Sequence, residues 1–346
     1  VMNFFKLVAE ETRSYLAQLG AKKLTDIIGK TDLLDIVEGD TEKQHKLDLR
    51  PLLSNGGIPD NEPQFCTHEK NQPFDKGKLA EKMVNDMSEA IKNKSEGEYI
   101  YKINNTNRSI GARISGLIAK QHGNYGMNKN PLRVQFSGTA GQSFGAWNAG
   151  GLHMYLEGDA NDYVGKGMAA GKLVIYPPKD SRYKSNETTI MGNTCLYGAT
   201  GGRIFAAGGA GERFGVRNSG AIAVVESVGD HACEYMTGGA AVILGQTGFN
   251  FGAGMTGGFA IVLDQKNCFE EKYNPELVEV QRIKLASMEK HANYLRSLIM
   301  QHTGETGSEW GQHILEHFSE LLDSFWLVKP KASKLETLIE NLRQAA

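Results

Sequence analysis

Short apolar runs alternate with glycines along the middle of the chain. Six such segments align on a leading glycine, and they begin at Gly150, Gly171, Gly202, Gly220, Gly238 and Gly257. These glycines are 21, 31, 18, 18 and 19 residues apart. The third and fifth positions of every segment are apolar. A period near 19 residues with short strands is typical of a solenoid, in which each coil buries its apolar face against the next.

The repeat predicts a right-handed parallel β-helix over residues 99–270. Matching residues of successive coils should then lie above one another, so we expect Leu152, Leu173, Ile204 and Ile222 to form one ladder. A second glycine motif precedes several strands, as in "GTAGQSFG" from Gly138. These glycines fit corners where φ is positive or where two backbones approach closely. The 31-residue gap holds a polar, turn-rich stretch from Pro177, which predicts a surface loop.

Two other interpretations of the glycines are open to test. Of the 41 glycines, 27 lie in residues 138–264, and "GKGMAAG" from Gly165 resembles a dinucleotide-binding fingerprint. That fingerprint requires a following helix, whereas the apolar run "KLVIY" follows here and predicts a strand. A flexible linker is disfavoured because apolar strands interrupt the glycines. The corner interpretation is therefore preferred.

The segments on either side of the repeat are predicted to be largely helical. Residues 1–39 show helical spacing that Gly20 ends, and residues 40–98 form an extended connection with a helix near 79–93. A strand follows near residue 99, and after it a small-residue helix or a first coil should cap the solenoid. Residues 271–346 are expected to be a helical extension. Its second helix begins at Thr306 or Ser308 and ends at Pro330.

Composition narrows the class of protein. The formal net charge is −2, so there is no general basic footprint for nucleic acid. No apolar run approaches the ~20 residues that a membrane span needs, and the N-terminus lacks a signal-peptide pattern. The four cysteines are far apart, which favours a reducing cytoplasmic compartment and provides no run of cluster ligands. The amphipathic pattern starts at Val1, which suggests that an N-terminal part is missing.

Four groups of residues could carry chemistry, and each has a simpler structural interpretation. His313 and His317 have the i, i+4 spacing of metal ligands, but a third ligand is not evident. Cys66 near His68 lacks an evident positioned base. Ser143 in "GQSFG" resembles part of a nucleophile elbow but lies in a corner repeat. The acids of residues 157–162 are not repeated in other coils, as a calcium-binding repeat would require.

Several motifs together closely resemble the C-terminal region of the glutamate synthase large chain. They are the repeated G-x-x-G-x-x-x-G, "EGDANDYVGKGMAAG", "NTNRSIGARISG" and "TGSEWGQ…FWLVKPK". "FFKLVAEETRSYLAQLG" and "IIGKTDLL" resemble the tail of the flavin-binding synthase domain of that family, over residues 1–39. The ending "FWLVKPK" resembles the bacterial NADPH-dependent type.

The resemblance implies a function for a larger enzyme. Its members take ammonia from glutamine and pass it to 2-oxoglutarate in a domain with FMN and a 3Fe-4S cluster, so that two glutamates result. The C-terminal β-helix of the family is structural. We therefore expect no catalytic, cofactor-binding or metal-binding residue in this chain. The implied partners are the glutaminase and synthase domains, with the small subunit as a further candidate, and neither nucleic acid nor membrane.

Two alternatives come from other classes. One is a freestanding assembly or binding module, similar to the solenoid of a formylmethanofuran dehydrogenase subunit. The synthase-like N-terminal tail argues against it. The other is a sugar-active β-helix enzyme, which would place acids along an exposed strand face. The aligned strand columns offer none.

Overall fold

The computed structural model describes residues 1–59, 61–69 and 77–345. The chain forms two compact units, Val1–Asp75 and Lys76–Ala346. The helix expected near residues 79–93 belongs to the second unit.

The first unit consists of short helices and turns. It contains α1 (Met2–Gln18), α2 (Glu42–His45) and 3₁₀ turns at Leu24–Asp26, Thr31–Leu33 and Arg50–Leu53. The N-terminal helix is confirmed, and it ends before Gly20, whose φ is +72°. None of the described residues of this unit is buried.

The second unit is a parallel β-solenoid, as the repeat predicts. Its strands are β1 (Gly97–Ile103), β2 (Leu132–Ala140), β3 (Leu152–Ala160), β4 (Lys172–Tyr176), β5 (Thr189–Met191), β6 (Arg203–Ala210), β7 (Ser219–Val228), β8 (Thr237–Ile243) and β9 (Gly257–Leu263). All except β5 stack in chain order, each parallel to the next. The short β5 follows the loop after Pro177 and pairs with β3 and β6. The hand of the winding stays a prediction.

The expected ladder is wrong in register. Leu173 pairs with Ile204 on one side, but on the other side it pairs with Met154 and not with Leu152. Ile222 pairs with Arg203, while Ile204 faces Ala223. The aligned segments begin with Gly202, the second glycine of its pair, but with Gly238, the first of its pair, whereas the positive φ belongs to Gly202 and Gly239. Because successive strand residues face opposite sides, this one-residue slip puts Ile222 on the outer face.

Two apolar clusters result from the corrected register. Inside the coils lie two ladders of buried side chains: Val134, Met154, Leu173, Ile204, Ala223, Ala241 and Ala260, and Phe136, Leu156, Ile175, Ala206, Val225, Ile243 and Val262. The outer face carries a third ladder, from Tyr155 through Val174, Phe205, Val224 and Val242 to Ile261. The strands are therefore apolar on both faces, and the outer face needs a cover.

Helices α3 (Lys78–Asn93) and α4 (Ala112–His122) cover the N-terminal end of the solenoid. Met83, Met87 and Ile91 of α3 join the inner cluster, as do Ile114 and Ile118 of α4. The predicted cap is confirmed, and it shields apolar side chains of the first coil from water.

The C-terminal extension is only partly helical. It contains α5 (Leu285–Thr306), α6 (Glu309–Glu316), α7 (Phe318–Leu321) and α8 (Leu338–Ala345), and α5, α6 and α8 contribute to the outer cluster. The expectation of a wholly helical extension is wrong at β10 (Val278–Arg282) and β11 (Phe325–Pro330). Both strands are antiparallel to their neighbours, and β11 closes the edge of β9. Short apolar runs such as "FWLV" fit a strand or a helix equally well.

Among all the helices in the described part of the chain, none combines the length and the apolarity that a membrane crossing requires.

Candidate functional site

The most regular feature of the solenoid is the turn that follows a strand and leads to the next coil. In six successive turns, three residues at alternate positions have φ between +53° and +71°. The triplets are Ser143, Gly145, Trp147; Tyr163, Gly165, Gly167; Thr194, Leu196, Gly198; Arg213, Gly215, Arg217; His231, Cys233, Tyr235; and Asn250, Gly252, Gly254. This left-handed conformation costs a residue other than glycine about 1–2 kcal/mol.

Hydrogen bonds between coils compensate for that strain. The middle N–H of a triplet donates to the preceding coil, as Gly165 does to the carbonyl of Phe144 at 2.9 Å. The outer N–H groups donate to the following coil, as Trp147 does to Lys166 at 2.8 Å. Each turn is thus bonded to both neighbours, which stiffens the stack along its length.

The same hydrogen bonds distinguish the corner interpretation of "GKGMAAG" from the dinucleotide-binding one. The N–H of Gly165 donates to Phe144, and the N–H of Gly167 donates to Tyr197 at 2.9 Å. Amide groups that would have to cradle a phosphate are therefore engaged by carbonyls of other coils. Strand β4, not a helix, follows at Lys172. The corner interpretation of these glycines is confirmed.

Ser143 and the acids of residues 157–162 belong to the same framework. Ser143 is the first residue of its triplet, and its N–H donates to the backbone carbonyl of Asp162. Asp159 accepts a hydrogen bond from Thr139 at 2.7 Å, and a side-chain oxygen of Asp162 accepts the N–H of Asn193 at 2.7 Å. Both acids therefore bond to residues of adjacent coils. Within the described residues, no group of three or more His, Cys, Asp or Glu could hold a metal.

The other two candidate pairs belong to different units of the chain. His313 lies on α6 and His317 directly follows that helix; their ring centroids are 4.4 Å apart, and His313 also stacks on Trp310. The Nδ1 atom of His317 lies 3.0 Å from the carbonyl oxygen of His313. Cys66 is exposed in the first unit, and its thiol contacts the backbone carbonyl of His68, not the imidazole.

A buried polar cluster lies where the outer face of β7 meets the helices. Glu226 of β7 and His302 of α5 are both fully buried, and the Nε2 atom of His302 lies 3.3 Å from Glu226 Oε1. Ser308, the N-cap of α6, donates its hydroxyl to the same carboxylate oxygen. Because that hydroxyl is bonded to the carboxylate and not to the imidazole, the three residues do not have the arrangement of a catalytic triad.

Sequence reasoning missed this cluster, although one signal was present. His302 continues the apolar stripe of Leu295, Leu298 and Ile299 along α5, which places it on the buried face. The carboxylate of Glu226 lies at the N-terminus of α6, whose partial positive charge stabilises an anion. The cluster thus links the solenoid to the start of α6.

An open groove of about 710 Å³ lies beside that cluster. The loop after Pro177 forms one wall, with Lys179, Arg182 and Tyr183, and Ser308 and Trp310 of the helical layer form the other. Within the described part of the chain, neither Lys179 nor Arg182 forms an ion pair. The groove is the place where the irregular loop of the repeat meets the helices.

A second polar cluster attaches the end of α5 to the first coils. Glu305 accepts hydrogen bonds from Tyr155, at 2.8 Å, and from Lys172. Burial opposes ionisation of Glu305, but these bonds win and lower its pKa. Burial and the neighbouring Lys172 lower the pKa of His153 to about 4, while the guanidinium of Arg133 lies over the ring of Tyr155 at 3.9 Å. His153 is therefore uncharged near neutral pH.

Comparison with known proteins identifies the family of this chain and several relatives that are much longer than it. Residues 78–331 match the family described as "GXGXG motif". The chain is 47% identical, over 342 residues, to the ferredoxin-dependent glutamate synthase 2 of Synechocystis sp.. It is 45% identical to the chloroplastic ferredoxin-dependent glutamate synthase 2 of Arabidopsis thaliana and 44% identical to the NADH glutamate synthase of Schizosaccharomyces pombe.

The matches cover most of this chain and little of the relatives. Each includes 96% of the chain but only 21%, 20% and 16% of the respective relative. The chain therefore spans about a fifth or less of their length. The expectation of an NADPH-dependent type is not supported, because these relatives are named ferredoxin-dependent or NADH enzymes.

Proposed function

The chain belongs to the GXGXG-motif family, and from this premise we propose that it is the part of a glutamate synthase that holds the glutaminase and synthase domains in one geometry. The parent reaction is the conversion of glutamine, 2-oxoglutarate and a reductant into two glutamates. Ammonia released in one domain reaches the other without loss only if the two sites keep a fixed separation. FMN and the 3Fe-4S cluster belong to the synthase domain in this proposal.

The observation that carries the proposal is the unbroken stack of strands from β1 to β9. Backbone hydrogen bonds join every coil to its neighbours, and two ladders of buried side chains run through the inside. Such an element resists bending because any tilt between coils breaks several bonds at once. A stiff rod suits a spacer between two reaction sites.

The extent of the similarity favours this proposal over a freestanding module. The match to the Synechocystis relative covers 96% of the chain, which exceeds the solenoid and includes most of residues 1–75. A module recruited alone would need to match only over the solenoid. The short helices of the first unit, none of them buried, suit a segment that packs against another part of a longer polypeptide.

The test measures coupling between the two half-reactions. The chain is joined to the remaining part of a glutamate synthase polypeptide, and glutamine consumed, glutamate formed and free ammonia are measured together. Leu173→Ala, which opens a cavity in the inner ladder, is expected to raise free ammonia per glutamate at a temperature where the variant stays folded. Tyr125→Ala, at an exposed aromatic residue, is the control and should not change that ratio.

Two results would contradict the proposal. One is that the ratio of ammonia to glutamate stays the same when the whole solenoid is deleted. The other is that this chain alone converts glutamine and 2-oxoglutarate into glutamate. The first denies a role in coupling, and the second denies that the chemistry belongs to other domains.

A further inference from the structure

Five large side chains belong to neighbouring turns on one corner of the solenoid, and we call this set the corner stripe. Its members, one from each of five successive coils, are Trp147, Lys166, Tyr197, Arg217 and Tyr235. The N–H of Trp147 donates to the carbonyl of Lys166, and that of Arg217 donates to Glu234, next to Tyr235. At ~4.8 Å per coil the corner stripe is about 19 Å long.

The fold does not need large residues at these positions. Trp147, Arg217 and Tyr235 are the third residues of their triplets, with φ of +54°, +54° and +53°. The equivalent residues of the other three turns are Gly167, Gly198 and Gly254. Glycine adopts this conformation without strain, so at these three positions a larger residue costs free energy relative to glycine. Strained, exposed residues are a sign of function.

The aromatic rings are exposed but held in place. Trp147 is 60% exposed and Tyr235 is 55% exposed. A Cβ at Gly167 would lie 2.9 Å from the ring of Trp147, and one at Gly254 would lie 2.4 Å from the ring of Tyr235. Each ring therefore lies close to the backbone of a glycine in the next coil. Rigid tryptophan, tyrosine and arginine side chains are the residues that contribute most to protein–protein binding.

The positive charge of the corner stripe indicates what kind of surface it could bind. The ammonium of Lys166 lies 5.9 Å from the ring centroid of Tyr197, and the guanidinium of Arg217 lies 6.0 Å from the same ring. Neither cation has an ion-pair partner among the described residues, whereas nearby Arg213 is paired with Glu234. Two cations between three aromatic rings suit a surface with carboxylates around an apolar centre.

We propose that the corner stripe is the docking face for a carboxylate-bearing protein surface in the remaining part of the glutamate synthase polypeptide. The outer ladder of the strands does not need this partner as a cover, since α5, α6 and α8 already cover it. This inference rests on the proposed function, because the partner is the polypeptide that the solenoid is proposed to hold.

The test uses the full 346-residue chain and, as the probe, the Synechocystis relative without its matched region, produced as a separate polypeptide. The variant is Trp147→Gly, Arg217→Gly, Tyr235→Gly, which gives these turns the residue found in the other three. Its midpoint of thermal unfolding should stay the same or rise, while its Kd for the probe should increase at least tenfold. Tyr125→Ala, 56% exposed outside the stripe, is the matched control and should bind like the parent.

A second variant tests the charge of the partner. Lys166→Glu with Arg217→Glu should weaken binding at least tenfold, and raising the salt concentration should weaken binding of the parent chain but not of this variant. Equal binding of the parent and the glycine variant would overturn the inference and leave the proposed function standing. Unchanged or tighter binding after charge reversal would overturn the carboxylate partner. If the parent chain does not bind the probe at all, the proposed function fails and the inference fails with it.

Discussion

The carboxylate of Glu226 accepts a hydrogen bond from the hydroxyl of Ser308, a residue 82 positions later in the chain. Ser308 also accepts the N–H of Gly311 at 2.8 Å, so one hydroxyl both caps α6 and fastens it to β7. His302 approaches the same carboxylate from α5. Glu226 thus joins both α5 and α6 to strand β7 on the apolar outer face.

Glu226→Ala should therefore destabilise the second unit strongly. The substitution leaves the hydroxyl of Ser308 and the imidazole of His302 buried without their acceptor, and removing one member of a buried charged network costs about 3–5 kcal/mol. Urea unfolding followed by circular dichroism measures the loss. Glu309→Gln, at an exposed acid in the first turn of α6, should change stability by under about 1 kcal/mol. Equal effects of the two substitutions would mean that the cluster does not hold the helices.

Gly311→Ala should destabilise the protein, against the usual preference for alanine in helices. A Cβ at Gly311 would lie 2.5 Å from Thr303 Oγ1 and 3.2 Å from His302 Cδ2, so the buried cluster would have to move. Gly304→Ala in α5 is the matched control, because nothing lies within 4 Å of its Cβ position. That substitution should stabilise by up to about 1 kcal/mol. Opposite signs in thermal unfolding are expected, and stabilisation by both would refute the close packing around Gly311.

Gly158→Ala should be more harmful than Gly198→Ala, although both glycines have positive φ. A Cβ at Gly158 would lie 1.9 Å from the carbonyl oxygen of Gly138 on the adjacent strand, whereas that of Gly198 has open space. Gly198→Ala therefore meets only the strain of its left-handed conformation, about 1–2 kcal/mol. Gly158→Ala must in addition push β2 and β3 apart. Denaturation midpoints rank the two variants, and a smaller effect at Gly158 would contradict the close approach of these strands.

His153 should make stability depend on pH in mildly acidic solution. Its pKa is lowered from 6.5 to about 4, first by burial and then by Lys172. Between these values the unfolded chain binds a proton that the folded chain does not, so stability is lost as the pH falls from 6.5 to 4. The loss is up to about 3 kcal/mol, since one pKa unit corresponds to ~1.4 kcal/mol.

The measurement for His153 is the difference between two titrations of stability. His153→Gln should remove this part of the pH dependence, while His313→Gln, at an exposed position on α6, should leave it in place. Protonation of Glu305, whose pKa is lowered from 4.5, costs stability only as the pH falls below about 4.5, so the profiles are compared above that pH. A parent and a His153→Gln chain with parallel profiles from pH 6.5 to 4.5 would show that the pKa of His153 is not shifted.

The register of the solenoid shows where sequence reasoning reached its limit. A pair such as Gly238 and Gly239 offers two equivalent starting points, and only the backbone conformation identifies Gly239 as the corner. The slip by one residue assigned Ile222 to the inside, although its strand neighbour Arg203 lies on the outer side. Likewise, "FWLV" in β11 became a strand because the open edge of β9 was available to it.

The period of about 19 residues, the apolar strands and the corner glycines were sufficient to predict the solenoid and its N-terminal cap. Those features are local and recur from coil to coil, so the repetition strengthens the prediction. The contacts of Glu226 with His302 and Ser308 join residues 76 and 82 positions apart, and the corner stripe combines side chains from five coils. Such arrangements depend on which distant segments fold against each other. A linear pattern of hydrophobic and polar positions does not specify those contacts.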